Sequence, residues 1–194
     1  MQALKSLYDE LVDLYGYQLQ MNLSISEWHK LLDGLGKKHA TRRDNRVTFG
    51  EDDPNDPNAT YKFSARYGSM LDANSPNGSN AQLMRCGVIV LAYSLWEDHY
   101  RGRIAAECGL QGKNDIESEV FRDLNIYRRA AVHTGRILRD RPKVLPFLSK
   151  GAALRFSPAD MQRLFELLID ELNRLGRDYY HTNTSFSLSR TLNI

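Results

Sequence analysis

The chain has 194 residues, of which 42% are hydrophobic and 26% charged, with a formal net charge of +2. This is an ordinary globular composition, and so small a charge excludes a protein that is basic throughout. The longest apolar run, Val88 to Tyr93, is far too short to cross a bilayer, and the N-terminus lacks the apolar core of a signal peptide. We therefore expect a cytoplasmic protein with one domain spanning residues 1–194.

Residues 1–40 are predicted to form two helices. Ser24–Glu27 has the sequence of a capping box and predicts the start of the second helix, and Gly34 and Gly36 mark its end. The first helix carries an apolar stripe at steps of three and four residues: Leu4, Leu7, Leu11, Leu14, Met21 and Ile25. That stripe favours a helix packed against the rest of the domain, with self-association as the alternative.

Residues 41–80 show no helical periodicity and are rich in turn-forming residues. Tyr61–Tyr67 alternates like a short strand. So long an irregular segment inside a compact domain is typical of a binding or lid element, or of disorder.

The second half is predicted to be helical over about 81–108, about 114–139 and about 157–182, with a tail at 183–194 that is either a strand or a mobile end. Gly109 ends the first of these helices, and Asn114–Glu117 caps the second before Pro142 stops it. Ser157-Pro158 combines a cap residue with proline at the first helical position. The predicted fold is an all-α antiparallel bundle of about five helices, with a long irregular insertion between helices 2 and 3.

The stretch Tyr127–Thr134 contains the residues most suited to chemistry. Imidazole is the side chain whose ordinary pKa lies nearest neutrality, and a guanidinium can bind a phosphate. Arg128 and His133 lie about 140° apart around an ideal helix, so they flank a groove only if a second subunit covers the helix. Arg129 and His133 share a face. Spacing alone leaves open which arginine works with the histidine, or whether this is an ordinary surface turn.

Glu97 is expected near these arginines. The linker 109–113 is short, so the helices on either side of it should pack antiparallel, with Glu97 opposite Ile126. At about 1.5 Å rise per residue, Glu97 then lies within about one turn of Arg128 or Arg129 and can orient a guanidinium.

Two segments are locally basic. Between residues 122 and 143, positive residues outnumber negative ones by seven to two, and they include Arg122 and Arg136. The other cluster is Lys37, Lys38, Arg42, Arg43 and Arg46, opposed by Asp44. Such clusters suit a phosphate backbone, although solvated surfaces look the same in sequence. The five arginines predicted to bind RNA are Arg129, Arg136, Arg122, Arg42 and Arg43.

No metal site or cofactor is predicted. The chain has no glycine-rich phosphate loop and no paired metal-binding histidines. Cys86 and Cys108 have neither metal-site nor redox spacing, and we expect reduced thiols within helices.

The segment Arg128–His133 resembles the Arg-x4-6-His motif of the HEPN superfamily (higher eukaryotes and prokaryotes nucleotide-binding). The upstream helix Val88–Arg101, an apolar run that leads to Trp96-Glu97, is similar to the corresponding helix of that superfamily. The resemblance covers about residues 81–182 and consists of helix order plus these two short motifs.

The resemblance implies a metal-independent endoribonuclease that works as a homodimer, typically in toxin–antitoxin or antiviral defence systems with a protein partner such as an antitoxin. His133 is the implied general acid and base for attack of the ribose 2′-OH on the neighbouring phosphate. Arg128 is expected to hold that phosphate, and Glu97 to orient one of the pair. The implied product is a 2′,3′-cyclic phosphate, and RNA specificity follows from the 2′-OH that DNA lacks.

One departure from the motif leaves an alternative open. The position after the motif arginine is usually Asn or Asp, and here it is Arg129. The alternative is a non-catalytic HEPN-like module that binds RNA or a protein partner. A helical interaction protein that assembles through the Leu4–Ile25 stripe is the third hypothesis.

Overall fold

The computed structural model describes residues 1–50 and 61–188. The chain divides into two compact units, one of Met1–Leu19 with Met84–Ile194 and the other of Gln20–Leu83. They are called unit 1 and unit 2. The prediction of one domain over 1–194 stays a prediction.

The described residues are mainly helical. In chain order the elements are α1 (Gln2–Lys38), β1 (Arg46–Gly50), β2 (Tyr61–Arg66), α2 (Tyr67–Ala73), α3 (Ser79–Ser94), a π-helical segment (Leu95–Tyr100), α4 (Arg101–Glu107), a 3-10 turn (Lys113–Asp115), α5 (Glu119–His133) and α6 (Pro158–Tyr180). Because α3, the π-helical segment and α4 follow one another without a break, the helices within residues 1–50 and 61–188 form five rods. The all-α prediction is confirmed.

The predicted helix boundary at Ser24–Glu27 is wrong, because α1 runs through it to Lys38. The Ser24 hydroxyl donates to the Gln20 carbonyl at 3.0 Å, which is the bond of a serine inside a helix and not of a cap. Gly34 and Gly36 also lie within α1. At Gly36 a side chain would overlap the Tyr67 hydroxyl, which donates to the Leu32 carbonyl at 3.0 Å. Gly36 therefore serves close packing and does not end the helix.

Unit 2 contains more regular structure than the predicted irregular insertion. β1 and β2 pair antiparallel with Val47 opposite Ala65, and the predicted strand at Tyr61–Tyr67 is thus observed through Arg66. Strand β2 leads directly into α2, and Leu32, Tyr67, Met70 and Leu71 form a small core. The turn-rich residues 51–60 lie outside the described residues.

Unit 1 holds the main hydrophobic core. Leu4, Leu7 and Leu11 are completely buried in it, so this part of the leucine stripe is covered within the chain. Trp96 stacks on Phe121, whereas Tyr93 lies next to Arg128. Tyr93 comes before Trp96 in the chain, but its partner Arg128 comes after Phe121 in α5. The helix that carries Tyr93 and Trp96 is therefore antiparallel to α5, as the short linker predicted. No helix within residues 1–50 and 61–188 has the length and apolar character needed to span a membrane.

The rod that spans 79–107 matches the predicted helix 81–108. It ends at the C-cap residue Cys108, and Gly109 follows with φ at +69°. Its unpredicted feature is the π-helical segment Leu95–Tyr100. A π-helical turn inside an α-helix widens the backbone spiral, and such turns are frequent at functional sites.

Both predicted ends of α5 are wrong. Asn114 does not cap α5, because it lies in the 3-10 turn that precedes the helix. In that turn the Gly112 N–H donates to the Asp115 carboxylate at 3.0 Å. The N-cap of α5 is Ser118. The helix ends at His133 and not near Arg139. Gly135 and Arg136 both have φ values near +65°, in the left-handed region that a continuing helix cannot use.

The predicted start of α6 is confirmed. The Ser157 hydroxyl oxygen accepts a hydrogen bond from the Asp160 N–H, and the Asp160 carboxylate accepts one from the Ser157 N–H. Pro158 occupies the first helical position. The described part of the tail is neither a strand nor a helix. Asn173 binds it through the backbone of Phe186, and the Phe186 ring stacks on Tyr8 with centroids 4.4 Å apart. Residues 189–194 lie outside the described residues.

Candidate functional site

The C-terminal half of α5 carries the motif residues. Because the helix ends at His133, this side chain is exposed in the last turn, where the chain leaves for an irregular segment. Thr134 closes the end: its hydroxyl donates to the Ile137 carbonyl at 2.6 Å. The Arg136 N–H donates to the Ala130 carbonyl at 3.1 Å. The imidazole is thus carried on a fixed helix end and faces solvent.

His133 lines a small cavity of about 220 Å³ together with cationic and polar side chains. Arg129 and Arg139 are on its wall, with Thr134 and Asp140 beside them. Asp140 pairs with the Arg129 guanidinium at 2.7 Å. Two guanidinium groups and an imidazole around one cavity can hold an anionic group such as a phosphate. The structure therefore brings His133 together with Arg129, the partner that shares its helix face.

Arg128 is half-buried and lies on another part of the α5 surface. Its guanidinium carbon is 5.4 Å from the centre of the Tyr93 ring, which is a cation–π contact. Burial raises the pKa of the Tyr93 hydroxyl, and the Glu97 carboxylate raises it further against the opposing charges of Arg128 and Arg101. Tyr93 is thus electrostatically coupled both to Arg128 and to Glu97.

Glu97 lies in the π-helical segment, and its ion-pair partners in the described part of the chain are Arg101 and Lys113. The Arg101 Nη1 atom donates to Oε2 at 3.0 Å, and the Lys113 Nζ atom lies 2.8 Å from Oε1. Burial raises the pKa of the Glu97 carboxyl, but the hydrogen bonds from Lys113 and Arg101 outweigh it and hold the pKa below its ordinary value. The structure does not bring Glu97 into an ion pair with Arg128 or Arg129.

A larger cavity of about 340 Å³ lies where the π-helical segment faces the first turns of α5. It contains Glu97 and the predicted RNA-binding residue Arg122, together with Tyr93, Trp96, Arg101 and Asn125. Arg122 pairs with Glu119 on its own helix. Glu97 and Asn125 thus line the same cavity, one residue away from the predicted pairing of Glu97 with Ile126.

A buried carboxylate fixes the basic segment that follows α5. Asp123 is completely buried, and its Oδ2 atom accepts three backbone N–H groups, from Lys143 at 2.7 Å, Val144 at 2.6 Å and Leu145 at 3.0 Å. The Tyr127 hydroxyl donates to the Leu145 carbonyl at 2.6 Å, and burial raises the pKa of Tyr127 to about 12. The segment that includes Arg136 and Arg139 is therefore tied to α5 at both ends.

The remaining predicted RNA-binding arginines have different surroundings. Arg136 is half-buried, and its carbonyl accepts a hydrogen bond from the Leu154 N–H. Arg42 and Arg43 belong to unit 2, where Arg42 is exposed beside Asp44 at 3.7 Å and Arg43 is bound to Asp72 at 2.6 Å. Hydrogen bonding to Asp72 raises the pKa of Arg43.

Several residues of these sites were not predicted from the sequence, among them Tyr93, Arg101, Lys113, Arg139 and Asp140. Arg101 follows Glu97 by four positions, which is the spacing of a helical ion pair and was a usable signal. Lys113 lies in the 3-10 turn and Asp140 in the irregular segment after α5. A periodic pattern in the sequence does not predict how either segment approaches the helices.

No protein family matches the chain. No curated protein and no solved structure matches it either.

Proposed function

We propose that the protein is a metal-independent endoribonuclease of the HEPN type. The observation that carries the proposal is the position of His133, an exposed imidazole on a rigid helix end in a cavity that it shares with the guanidinium groups of Arg129 and Arg139. An imidazole beside fixed cations is suited to proton transfer at a phosphodiester. The motif resemblance over 128–133 supports the same reaction.

In the proposed reaction His133 accepts the proton of a ribose 2′-OH as the oxygen attacks the adjacent phosphorus. The phosphorus–O5′ bond breaks, and the protonated His133 imidazole gives the same proton to the departing O5′, which returns the imidazole to its neutral form. The products are a 2′,3′-cyclic phosphate and a 5′-hydroxyl end. The guanidinium groups stabilise the negative charge that accumulates on the phosphate oxygens.

A homodimer is part of the proposal. Arg128 and His133 diverge around α5, so one copy of the helix does not present both side chains to the same phosphate. Val132, which is 54% exposed, lies four residues from Arg128 and next to His133. It gives this face apolar surface that a second copy can cover, and pairing about a two-fold axis would bring Arg128 of one copy to His133 of the other. Membership of a toxin–antitoxin or antiviral defence system belongs to the same proposal.

The direct test is digestion of total RNA in EDTA with native protein and with His133→Ala, Arg128→Ala and His39→Ala. His39 is exposed at the end of α1 and is the matched control. Loss of a general acid–base is expected to slow cleavage by at least about 100-fold in His133→Ala, while His39→Ala remains at the native rate. Native-rate cleavage by a folded His133→Ala protein would rule out the proposal.

The second candidate function is a non-catalytic RNA-binding module. It is favoured by Arg129, which stands where the motif usually has Asn or Asp and is ion-paired with Asp140. This candidate predicts RNA binding that weakens steeply with salt and no cleaved product. Cyclic-phosphate ends that require His133 would exclude it.

A further inference from the structure

The cavity between the π-helical segment and α5 has the features of a binding site in its own right. It encloses about 340 Å³, within the size range of small-molecule sites. Its inner wall is the stacked pair Trp96 and Phe121, with ring centroids 4.2 Å apart and planes 5° from parallel. Both rings are buried, so the wall is rigid.

Arg101 adds a fixed planar surface to this cavity. Its Nε and Nη2 atoms donate to the Ile116 carbonyl at 3.2 and 2.9 Å, and Nη1 donates to Glu97. The guanidinium carbon lies 5.8 Å from the centre of the Trp96 ring. Held in this way, the guanidinium plane can stack against a flat ligand with little loss of side-chain entropy.

The charges around the cavity favour a neutral ligand group. Three carboxylates, Glu97, Glu117 and Glu119, line it, and three cations oppose them: Arg101 and Arg122 in the lining and Lys113 on Glu97. Because these charges balance, the cavity has no excess of positive charge that would bind a phosphate on its own. The amides of Asn114 and Asn125 each offer donors and an acceptor, which suits a ring with a mixed hydrogen-bonding edge.

The Arg128 guanidinium lies next to the cavity, on the side of Tyr93. Tyr93 lines the cavity, and the Arg128 guanidinium lies against the same ring. A ligand with a neutral flat ring and an attached phosphate can therefore place the ring in the cavity and the phosphate toward Arg128.

We propose that this cavity binds a nucleobase, with Asn125 and Asn114 contacting its edge, Arg101 stacking on its face and Arg128 holding the attached phosphate. The proposal deepens the proposed function, on which it rests in taking an RNA strand as a source of the base. A free nucleotide has the same chemistry and is the other source.

The test follows binding directly and needs no cleavage. Trp28→Phe leaves Trp96 as the one tryptophan, because the chain has two. Quenching of Trp96 fluorescence is titrated with adenosine, guanosine, cytidine and uridine, with their 5′-monophosphates, and with a 2′-O-methyl oligonucleotide that has no free 2′-OH for attack. We expect saturable quenching and tighter binding of the monophosphate than of its nucleoside.

Two variants locate the site. Asn125→Phe fills the cavity and is expected to weaken nucleoside binding by about tenfold or more, and Asn125→Ala gives a smaller loss should the larger side chain prevent folding. Gln111→Ala, on the exposed linker, is the control and keeps native affinity. Arg128→Ala is expected to weaken binding of the monophosphate more than binding of the nucleoside, and so to abolish the preference for the monophosphate.

The outcomes separate the base site from the ribonuclease proposal. An oligonucleotide that binds about tenfold tighter than the monophosphate assigns the site to RNA, and equal affinities assign it to a free nucleotide. Base binding without any RNA cleavage supports the cavity and removes the ribonuclease. The cavity proposal is overturned if millimolar nucleosides do not quench Trp96, or if folded Asn125 variants bind them with native affinity.

Discussion

The Arg128 guanidinium lies 5.4 Å from the centre of the Tyr93 ring. This contact joins α3 to α5 and sets the direction of the half-buried motif arginine. The ring holds the cation without neutralising it, so the charge of Arg128 stays available to a phosphate. An ion pair with Glu97 would have neutralised it.

Replacing the Tyr93 ring should therefore impair the proposed cleavage. In Tyr93→Leu the cation–π contact, worth about 1 kcal/mol, is lost, and we expect kcat/KM to fall by about fivefold. Tyr93→Phe keeps the ring and is the matched control, with kcat/KM near the native value. Equal losses in the two variants would show that the hydroxyl, and not the ring, is what matters.

Glu97 is expected to contribute to stability in a pH-dependent way. Its folded-state pKa is lowered, so its contribution is present above the unfolded pKa of about 4.3 and is lost as the pH falls through the folded value. Glu97→Gln should lower the free energy of unfolding by about 1 kcal/mol at pH 7, and this difference should shrink below about pH 4.

Urea denaturation at pH 7 and at pH 3.5 measures the Glu97 effect. Glu27→Gln is the control, because Glu27 forms an exposed ion pair with Lys30. A difference between native protein and Glu97→Gln that is the same at both pH values would contradict the assignment of the ion pairs.

Asp123 should be a main determinant of the basic segment after α5. Asp123→Ala leaves three backbone N–H groups without their acceptor, and we expect a loss of about 3 kcal/mol in the free energy of unfolding. Asp170→Ala, at an exposed position of α6, should change it by less than about 0.5 kcal/mol. Equal effects at the two positions in urea titrations would refute this role for Asp123.

The proposed dimer predicts complementation between two inactive variants. If Arg128 of one copy works with His133 of the other, a heterodimer of Arg128→Ala and His133→Ala keeps one intact site of two. After mixing and subunit exchange at equal concentrations, half of the dimers are hybrids, and activity should recover to about a quarter of native. No recovery, with exchange verified by native mass spectrometry of tagged copies, would show that both residues act within one chain.

The sequence was most informative where structure is local. The start of α6 follows from Ser157, Pro158 and Asp160, which satisfy one another within four residues, and it was predicted correctly. Ser24–Glu27 has an equally good pattern, yet the continuous α1 satisfies its backbone groups and the serine bonds back into the helix. A capping pattern indicates that a start is possible, and packing decides whether it is used.

Most of the candidate site depends on contacts distant in sequence. The antiparallel arrangement of α3 and α5 could be predicted, because the linker between them is short. The ion pair of Glu97 with Lys113 required the position of the 3-10 turn, and the three acceptor bonds of Asp123 join residues 20 to 22 positions apart. Neither has a periodic signal. The end of α5 was misjudged because Arg136 adopts a left-handed conformation that its residue type does not favour.

The chemical structure of the RNA ends made in EDTA decides whether the 2′-OH is the attacking group. We expect 2′,3′-cyclic phosphate and 5′-hydroxyl ends, produced by native protein and by His39→Ala and lost with His133→Ala, and no cleavage of DNA of the same sequence. Cleavage that leaves 5′-phosphate ends, or that proceeds equally on DNA, would contradict attack by the 2′-OH and with it the assigned role of His133.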